Sequence, residues 1–413
     1  MSTYFMRYAA ALLAFCPLST HAATPRCAGW TTGWASAQME ADRNDAGIES
    51  RLHDATVRQT VRLTAAGPAI RLRLSNLMGT KPLVIRDVRI AFADAMGSAR
   101  IRAGSDMAAS FGGRGQVTIP AGADYWSDPI PTAVAAGTIL AVSFYLPDGP
   151  DRATSHPGAH ATAYIASGDR SADNELNGAA VEHWYNLAGI DVQGCGRVIV
   201  AFGDSITDGH GSTTNADNRW PDVLAKRLPA PSGLSVINQG IGGNRILLDG
   251  IGQNALARLD RDLLSQSGVR YLIVLEGIND LGTLTRDHPV LQAEHDTLVV
   301  SLENGFRQIV ARAHDHGIKV VAGTILPDAG SDYYHPDAAN EADRQTLNQW
   351  IRTSGAFDAV VDFDAAVRDP NHNDRLLPLY DSGDHLHPSA AGYIAMGDLI
   401  PLTLFQPTAG ASK

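Results

Sequence analysis

The sequence predicts a chain of two unlike parts, an all-β part followed by an α/β part. Up to about residue 190, short segments largely alternate polar and apolar residues and are separated by Gly, Pro and Asp clusters, which indicates strands with one solvated face. From Arg197 onwards, apolar runs alternate with helical patterns, which predicts a parallel sheet covered by helices on both faces. We therefore expect a jelly-roll-like β-sandwich domain over residues 28–190 and an α/β domain over residues 197–405.

The length and the charge of the chain limit what it can be. Its 413 residues are enough for two domains with separate cores. The net charge of -11 argues against nucleic acid or an anionic membrane as the main partner. After the N-terminus, no stretch has the ~20 apolar residues that a membrane span requires. Nothing in the sequence predicts an oligomeric state.

The first 22 residues have the pattern of a secretory signal peptide. Arg7 precedes the mostly apolar stretch Tyr8–Leu18, and small residues follow at Ser19–Ala23. We expect cleavage after Ala22 or Ala23 and a secreted or periplasmic protein. The alternative is a buried N-terminal helix, which the shortness of the apolar run disfavours.

In the first part, the alternating segments predict strands at six places, which are Thr56–Leu63, Ala69–Leu74, Leu83–Phe92, Gln116–Ile119, Ile139–Leu146 and Ala161–Ile165. In the second part, five apolar runs predict the parallel strands Val198–Phe202, Leu234–Ile237, Tyr271–Leu275, Ile318–Leu326 and Ala359–Phe363. The predicted helices are Trp220–Leu228, Asn254–Leu264, Thr297–His316, Ala338–Thr353 and Ser389–Leu402.

Polar residues and glycines follow the first three predicted parallel strands. Ser205 follows the first strand at a helix start, Gly240, Gly242 and Gly243 follow the second, and Asn279 follows the third. Open α/β sheets bind ligands at the carboxyl ends of their strands, and a helix N-terminus favours negative charge. A late loop adds Asp384 and His387. The alternative for Asp204 and Ser205 alone is an ordinary helix cap.

With these four blocks in this order, residues 198–403 resemble the SGNH (GDSL) hydrolase family. The resemblance implies a flavodoxin-like three-layer α/β/α domain with serine esterase activity. Upstream, three segments are similar to the β-rich leader of two-domain secreted esterases of the acetylxylan-esterase-like type. These segments are Gly33–Ala37, Leu74–Asn76 and Phe111–Arg114.

The residue types in these blocks suit ester hydrolysis. We expect Ser205 to be the nucleophile and His387 the base, because an imidazole can accept and return a proton near neutral pH. Asp384, three residues earlier, can fix the tautomer of His387. Ser205 and Asn279 would donate to the oxyanion through a backbone N–H and a side-chain amide. Matching the family block adds the backbone N–H of Gly243 as a third donor.

Other residues near these blocks carry weaker signals. Asp384, His385 and His387 could form a metal cluster, but ligands at this spacing are weak evidence, and we expect neither a metal nor a cofactor. Arg219 and Trp220 either line a pocket or simply pack in the core.

Together these observations predict an exported serine esterase that forms an acyl-enzyme. The resemblance favours carbohydrate bearing short acyl groups, above all O-acetyl, as substrate. One alternative is a lipolytic or aryl esterase acting on small or lipid esters. Another is a carbohydrate-binding protein whose hydrolase domain is inert, although the complete set of candidate catalytic residues argues against it.

Removal of the signal peptide would leave two cysteines, Cys27 and Cys195. An even number in an oxidising compartment predicts a disulfide, which could stabilise the fold by ~4–5 kcal/mol in the chain-entropy model. The alternative is two independent buried thiols. We expect a non-reducing peptide map of the mature protein to contain one cross-linked peptide holding both residues. Recovery of both cysteines as free thiols would contradict the pairing.

Overall fold

A computed structural model describes Met1 and residues 29–41, 45–229 and 232–406. The predicted signal peptide and Cys27 lie outside these residues, so the cleavage site and the Cys27–Cys195 disulfide stay predictions. Within them, no helix is both long and apolar enough to cross a bilayer. The domain limits 28–190 and 197–405 also stay predictions.

The first part of the chain is built almost entirely from antiparallel strands. Their bounds are β1 (Trp30–Ala35), β2 (Met39–Glu40), β3 (Ala55–Arg62), β4 (Ile70–Ser75), β5 (Leu83–Phe92), β6 (Met107–Ala108), β7 (Gln116–Ile119), β8 (Asp124–Trp126), β9 (Ile139–Leu146), β10 (Thr154–His156), β11 (Ala163–Ser167), β12 (Ala179–Val181), β13 (Trp184–Tyr185) and β14 (Leu187–Gln193). A short helix, α1 (Ile48–Arg51), interrupts them.

These strands form three sheets around a common apolar core. The strand orders are β1-β14-β4-β8, β13-β10-β2 and β12-β11-β3-β9-β5-β6, with β7 paired to β5. The all-β character that the alternation predicted is therefore observed in the described residues, whereas the jelly-roll topology stays a prediction.

The alternating pattern located six of the fourteen strands in the described residues and missed eight, among them β1 and β14. The bounds of β5, β7 and β9 agree with the predicted segments. Strands β1 and β14, which pair with each other, were missed. Nearly all their residues are buried on both faces, so their sequences do not alternate between polar and apolar.

The second part contains a five-stranded parallel sheet with helices between its strands. The strands are β15 (Arg197–Gly203), β16 (Leu234–Gly240), β17 (Val269–Leu275), β18 (Lys319–Gly323) and β19 (Ala359–Val361). The helices are α2 (Ser205–Asp208), α3 (Trp220–Arg227), α4 (Ala255–Leu259), α5 (Ile278–Thr285), α6 (Gln292–Asp315), α7 (Ala338–Thr353), α8 (Phe363–Val367) and α9 (Ala390–Leu399). A small hairpin, β20 (Arg368–Asp369) and β21 (His372–Leu376), follows α8.

The order of the parallel strands puts β15 at the position where ligands bind in such sheets. The order is β16-β15-β17-β18-β19, so the chain moves in opposite directions from β15 to reach β16 and then β17. Open α/β sheets bind ligands at the carboxyl edge of this reversal point. Five consecutive side chains of β15, Val198–Phe202, are fully buried, which anchors this strand in the core.

The predicted bounds of α3 and α7 agree with the structure to within one residue, whereas those of other helices differ more. Helix α6 begins at Gln292, five residues before the predicted start. The predicted helix at 254–264 is α-helical only to Leu259 and continues as a π-helix over Asp260–Leu264. Helix α5 was missed because it follows β17 closely and its N-cap is Gly277, with φ 114°, before the first helical residue Ile278.

Polar contacts join the two parts of the chain beside the parallel sheet. Ser235 Oγ on β16 donates a hydrogen bond to the Thr32 carbonyl on β1 at 2.7 Å. Arg73 on β4 donates to the Gln266 side chain at 2.8 Å. The sheet that carries β15 is thus bonded directly to the all-β part.

Candidate active site

Ser205 is the first residue of α2, directly after β15. Asp204 caps this helix through a 2.8 Å hydrogen bond from the Ile206 backbone N–H to its Oδ1 atom. Burial raises the pKa of Asp204 to about 7. The strand and the cap together deliver the Ser205 side chain to the carboxyl edge of the sheet.

The structure brings Ser205, His387 and Asp384 together in one hydrogen-bonded chain. Ser205 Oγ lies 2.8 Å from His387 Nε2, and His387 Nδ1 lies 2.6 Å from Asp384 Oδ2. The backbone N–H of His387 also donates to Asp384 Oδ1, at 2.8 Å. Burial of Asp384 opposes its charge, but the hydrogen bonds from His387 outweigh burial and hold the pKa of this carboxyl well below its usual range. Asp384 therefore stays ionised and keeps a proton on Nδ1, which leaves Nε2 to accept from Ser205.

The three candidate oxyanion donors lie on neighbouring elements. β15 pairs with both β16 and β17, so the segments that follow these strands meet beside Ser205. Neither the Ser205 nor the Gly243 backbone N–H has a hydrogen-bond partner among the described residues. Gly243 has φ 68°, and a Cβ atom there would lie 2.7 Å from Ile251 Cδ1, so this position favours glycine. The role of these groups as an oxyanion hole stays a prediction.

The Asn279 side chain is oriented by two hydrogen bonds that the sequence did not indicate. Its Nδ2 donates to the Asn244 carbonyl at 2.7 Å, and its Oδ1 accepts from the Tyr334 hydroxyl at 2.6 Å. Because the Asn244 carbonyl can only accept, Nδ2 must face it, which fixes the orientation of the amide and leaves the second Nδ2 hydrogen free to donate. Tyr334 lies in a loop without a recognisable motif, so only the structure identifies it.

A second residue that sequence reasoning missed is Arg258, on α4, whose side chain is fully buried. Its guanidinium donates to the Gly203 carbonyl at the end of β15 and to the Gln239 carbonyl near the end of β16. It also contacts Glu276, directly after β17, at 3.3 Å. One cation thus ties together the carboxyl ends of three strands.

Further contacts extend the set of groups that Arg258 orders. Its Nε atom donates to the Asn244 side chain, its Nη1 atom pairs with Asp262, and its Cζ atom lies 3.9 Å from the Phe202 ring centroid. Burial and the nearby charge of Asp204 raise the pKa of Glu276 well above its usual range, so Arg258 is the group that favours its ionised form. A charged residue directly after a buried strand, as Glu276 is, was the sequence signal for such a partner.

Trp220 and Arg219, for which the sequence left a pocket wall and core packing open, differ in their surroundings. Trp220 is fully buried in the α/β core and packs on Phe363 with ring centroids 5.6 Å apart. Arg219 is bonded to Asp222 at 2.7 Å and borders a small cavity of about 30 Å³ between the two parts of the chain. Trp220 therefore packs in the core, and the cavity beside Arg219 is too small for a substrate.

A larger cleft of about 610 Å³ opens beside Gly243 and Tyr334. The other residues that line it are Met39, Glu40, Ala41, Arg245, Gly250, Ile251, Thr283, Arg286 and Tyr333. Tyr333 is 54% exposed, and the Arg286 guanidinium lies 5.7 Å from its ring centroid. The all-β part supplies one wall of this cleft, through β2.

In the described part of the chain, one group of side chains has the arrangement of a possible metal site, and it differs from the group considered in the sequence. It consists of His210, Asp384 and His387, with ligand atoms within 4.8 Å of one another. His385 instead bonds to Asp381 at 2.6 Å. Burial and the neighbouring His387 lower the pKa of His210. Two of the three residues already belong to the hydrogen-bonded chain of Ser205, and the expected absence of a metal stays a prediction.

Comparison with known proteins agrees with this geometry. Residues 201–395 match the model of the GDSL-like lipase/acylhydrolase family. A comparison with curated proteins found no match.

Solved structures similar to about half of this chain include the following three. A GDSL-like lipase from Bacteroides thetaiotaomicron is 21% identical, with 51% of this chain and 87% of that chain covered and a TM-score of 0.37. An aryl esterase from M. smegmatis is 17% identical, with 49% and 95% covered and a TM-score of 0.38. A carbohydrate acetylesterase from Sinorhizobium meliloti is 20% identical, with 49% and 94% covered and a TM-score of 0.36.

The parallel sheet and the family match define the second part as an α/β hydrolase of the esterase class. More specifically, residues 201–395 match the GDSL-like lipase/acylhydrolase family, the family that the sequence motifs resemble.

We predict that replacing Arg258 with Met destabilises the protein by about 3–5 kcal/mol, because Glu276 would stay buried without its cation. The measurement is the free energy of unfolding in urea. Arg261→Met is a matched control, since Arg261 also pairs with Asp262 but keeps 21% of its side chain exposed, and we expect a loss of about 1 kcal/mol or less. Equal losses in the two variants would contradict the role assigned to Arg258.

Proposed function

We propose that the enzyme hydrolyses short acyl esters of carbohydrate, chiefly O-acetyl esters, through an acyl-enzyme on Ser205. The observation that carries the proposal is the chain of hydrogen bonds from Ser205 Oγ through His387 to Asp384, at 2.8 and 2.6 Å. A hydroxyl, an imidazole and a carboxylate in this order are the groups that nucleophilic acyl transfer requires.

In the first step, Ser205 Oγ attacks the ester carbonyl carbon while its proton passes to His387 Nε2. The carbonyl oxygen becomes an oxyanion, which the N–H groups of Ser205 and Gly243 and the Asn279 amide stabilise. The bond to the leaving alcohol then breaks, and His387 returns the proton to the alcohol oxygen. Asp384 stabilises the transient imidazolium without accepting its proton.

In the second step, water attacks the acyl-enzyme. His387 takes a proton from the water, and the hydroxide oxygen bonds to the acyl carbon. The tetrahedral intermediate collapses, the bond to Ser205 Oγ breaks, and the protonated His387 returns its proton to Oγ. The products are a carboxylic acid and the free enzyme, and no redox or metal step is needed for this balance.

The cleft beside Gly243 supports a sugar as the alcohol part of the ester. It has an exposed aromatic ring, Tyr333, and two guanidinium groups, Arg245 and Arg286. A sugar ring presents C–H groups on its faces and hydroxyls at its edges, so an aromatic face combined with polar side chains suits it. The volume of about 610 Å³ is of the size that holds a small molecule or a short segment of a polymer.

A second observation favours the lipolytic alternative. An apolar groove of about 220 Å³ adjoins the cleft and shares Arg245 and Thr283 with it. Its walls include Leu247, Leu248 and Leu284, and Leu248 is 61% exposed. A groove of this kind could hold the chain of a longer acyl group.

We also propose export to the periplasm or the medium. The support comes from the N-terminal pattern, in which Arg7 precedes an apolar stretch and small residues, and from the two cysteines that would remain after cleavage. The substrate of an exported enzyme would be a polymer or a small ester outside the cytoplasm.

The test of the nucleophile is Ser205→Ala. We expect at least about a 10³-fold loss of kcat on p-nitrophenyl acetate and of acetate release from acetylated polysaccharides, because the covalent step is lost. Ser301→Ala, which removes a hydroxyl bonded to the Thr297 carbonyl on α6, is the control and should retain full activity. Turnover by Ser205→Ala at the wild-type rate would refute the mechanism.

The rates on esters of different acyl chain length distinguish the acetylesterase proposal from the lipolytic alternative. We expect kcat/KM for p-nitrophenyl acetate to exceed that for the octanoate by about tenfold or more. Leu248→Ser should leave acetate hydrolysis unchanged and weaken only the hydrolysis of long-chain esters, because it alters the apolar groove. A preference of the wild-type enzyme for octanoate would replace the acetylesterase proposal with the lipolytic one.

A further inference from the structure

One histidine of the all-β part, His156, contacts the short helix α2 of the α/β part. His156, on β10, is 3% exposed, and its Nε2 atom lies 2.9 Å from Asp208 Oδ1 on α2. Its other ring nitrogen, Nδ1, lies 2.8 Å from the carbonyl oxygen of Ala37. Asp208 is the last residue of the short helix that begins with Ser205.

The second carboxylate oxygen of Asp208 reaches the glycine loop after β16. Asp208 Oδ2 accepts a hydrogen bond from the Gly242 backbone N–H at 3.2 Å. Gly242 directly precedes Gly243, the candidate oxyanion donor. The carboxylate thus links the nucleophile helix to the loop that would bind the oxyanion, and His156 is the side chain that holds this carboxylate from the other side.

Close packing leaves Asp208 little freedom to move. A Cβ atom at Gly158, in the segment after β10, would lie 1.8 Å from Asp208 Oδ2. A Cβ atom at Gly240 would lie 2.3 Å from the Asp208 backbone nitrogen. Both positions therefore require glycine, and the Asp208 side chain lies between the two parts of the chain with His156 as its only ring partner among the described residues.

We infer that His156 is a positioning residue for the oxyanion site, acting through Asp208 on the Gly242–Gly243 loop. This inference rests on the proposed function, since it assigns the remote histidine a part in the same reaction. His156 touches neither the nucleophile nor the site of the reacting carbonyl, so its effect is on geometry and not on proton transfer.

The contacts of the ring indicate its charge. A carbonyl oxygen only accepts, so Nδ1 carries a hydrogen, and an ionised Asp208 requires a second hydrogen on Nε2. The ring also stacks on Trp184, with centroids 5.7 Å apart and planes at 21°, an arrangement that favours a cation. Burial opposes the charge, but Asp208 and the Ala37 carbonyl outweigh burial and raise the pKa of His156.

The other ionisable groups facing this ring are Arg219 and His160. Arg219 opposes the imidazolium but is itself paired with Asp222 at 2.7 Å. Burial lowers the pKa of His160 to about 4, so this ring is neutral near neutral pH. Because the folded-state pKa of His156 is raised, the link is complete below the ordinary pKa of an imidazole and is lost as the pH rises through the raised value.

Replacing His156 with Gln or with Asn distinguishes the contact of its ring with Asp208 from the contact with the Ala37 carbonyl. His156→Gln places an amide nitrogen near the position of Nε2, and so keeps a donor toward Asp208. His156→Asn places its nitrogen near the position of Nδ1, and so keeps only the contact to Ala37. Both remove the ring and its charge, so we expect similar decreases in Tm.

We expect His156→Asn to lower kcat on p-nitrophenyl acetate by at least tenfold, with KM within threefold of wild type, whereas His156→Gln stays within threefold in kcat. In the wild type we expect kcat to decline as the pH rises through the raised pKa of His156. This decline should disappear in His156→Gln, because an amide does not titrate. A merely structural role predicts equal kcat in the two variants and an unchanged pH profile, and either result would overturn the inference.

A matched control is available in the same part of the chain. His183, beside β13, contacts Asp45 and the Tyr185 hydroxyl, each at 3.2 Å. Among the described residues it makes no hydrogen bond to Asp208. His183→Gln and His183→Asn should both keep the wild-type kcat. A tenfold loss in either would show that any disturbance of the all-β part lowers the activity, and would overturn the specific assignment to His156.

A measurement that does not depend on turnover separates this inference from the proposed function. In a double-mutant cycle of His156→Asn and Asp208→Asn, the decreases in Tm should be strongly non-additive, because each substitution breaks the same contact. Absence of Ser205-dependent hydrolysis in the wild type would refute the proposed function. Additive decreases would refute the link between His156 and Asp208, whatever the activity.

Discussion

The site depends first on one buried cation, Arg258. Parallel strands that end at the same edge bring their last carbonyl oxygens and, here, the buried Glu276 carboxylate close together. A single guanidinium satisfies the carbonyls of Gly203 and Gln239 and neutralises Glu276. Each of these groups would be costly to bury alone. The positions of the three loops that carry the candidate catalytic groups are therefore coupled through one side chain.

Sequence reasoning was most successful where local pattern and burial agree. The parallel strands are apolar runs because they are covered on both faces, and their order along the chain led to five strands at nearly the right places. The same rule failed for β1 and β14, because a β-strand buried on both faces in an antiparallel sheet does not alternate. The hydrogen-bond pattern that turns α4 into a π-helix has no counterpart in side-chain periodicity.

For the site, motif spacing identified residues that act through short-range chemistry. Asp384 and His387 were found because one loop brings them together, and Ser205 because it follows a buried strand. Arg258 and Tyr334 were missed, since they lie in a helix and a loop whose contacts depend on tertiary packing. The same holds for Trp220, whose aromatic ring suits a pocket or a core equally well until burial is known.

The cleft beside Gly243 takes one wall from Met39 and Glu40 of β2, which lies on the other part of the chain from the hydrolytic groups. Strand β2 is two residues long and pairs with β10 only through Thr154 and Ser155. Exchanges in so short an edge segment would disturb few core contacts. Substitutions in β2, whether natural or selected in the laboratory, could thus change which esters bind while Ser205, His387 and Asp384 stay unchanged.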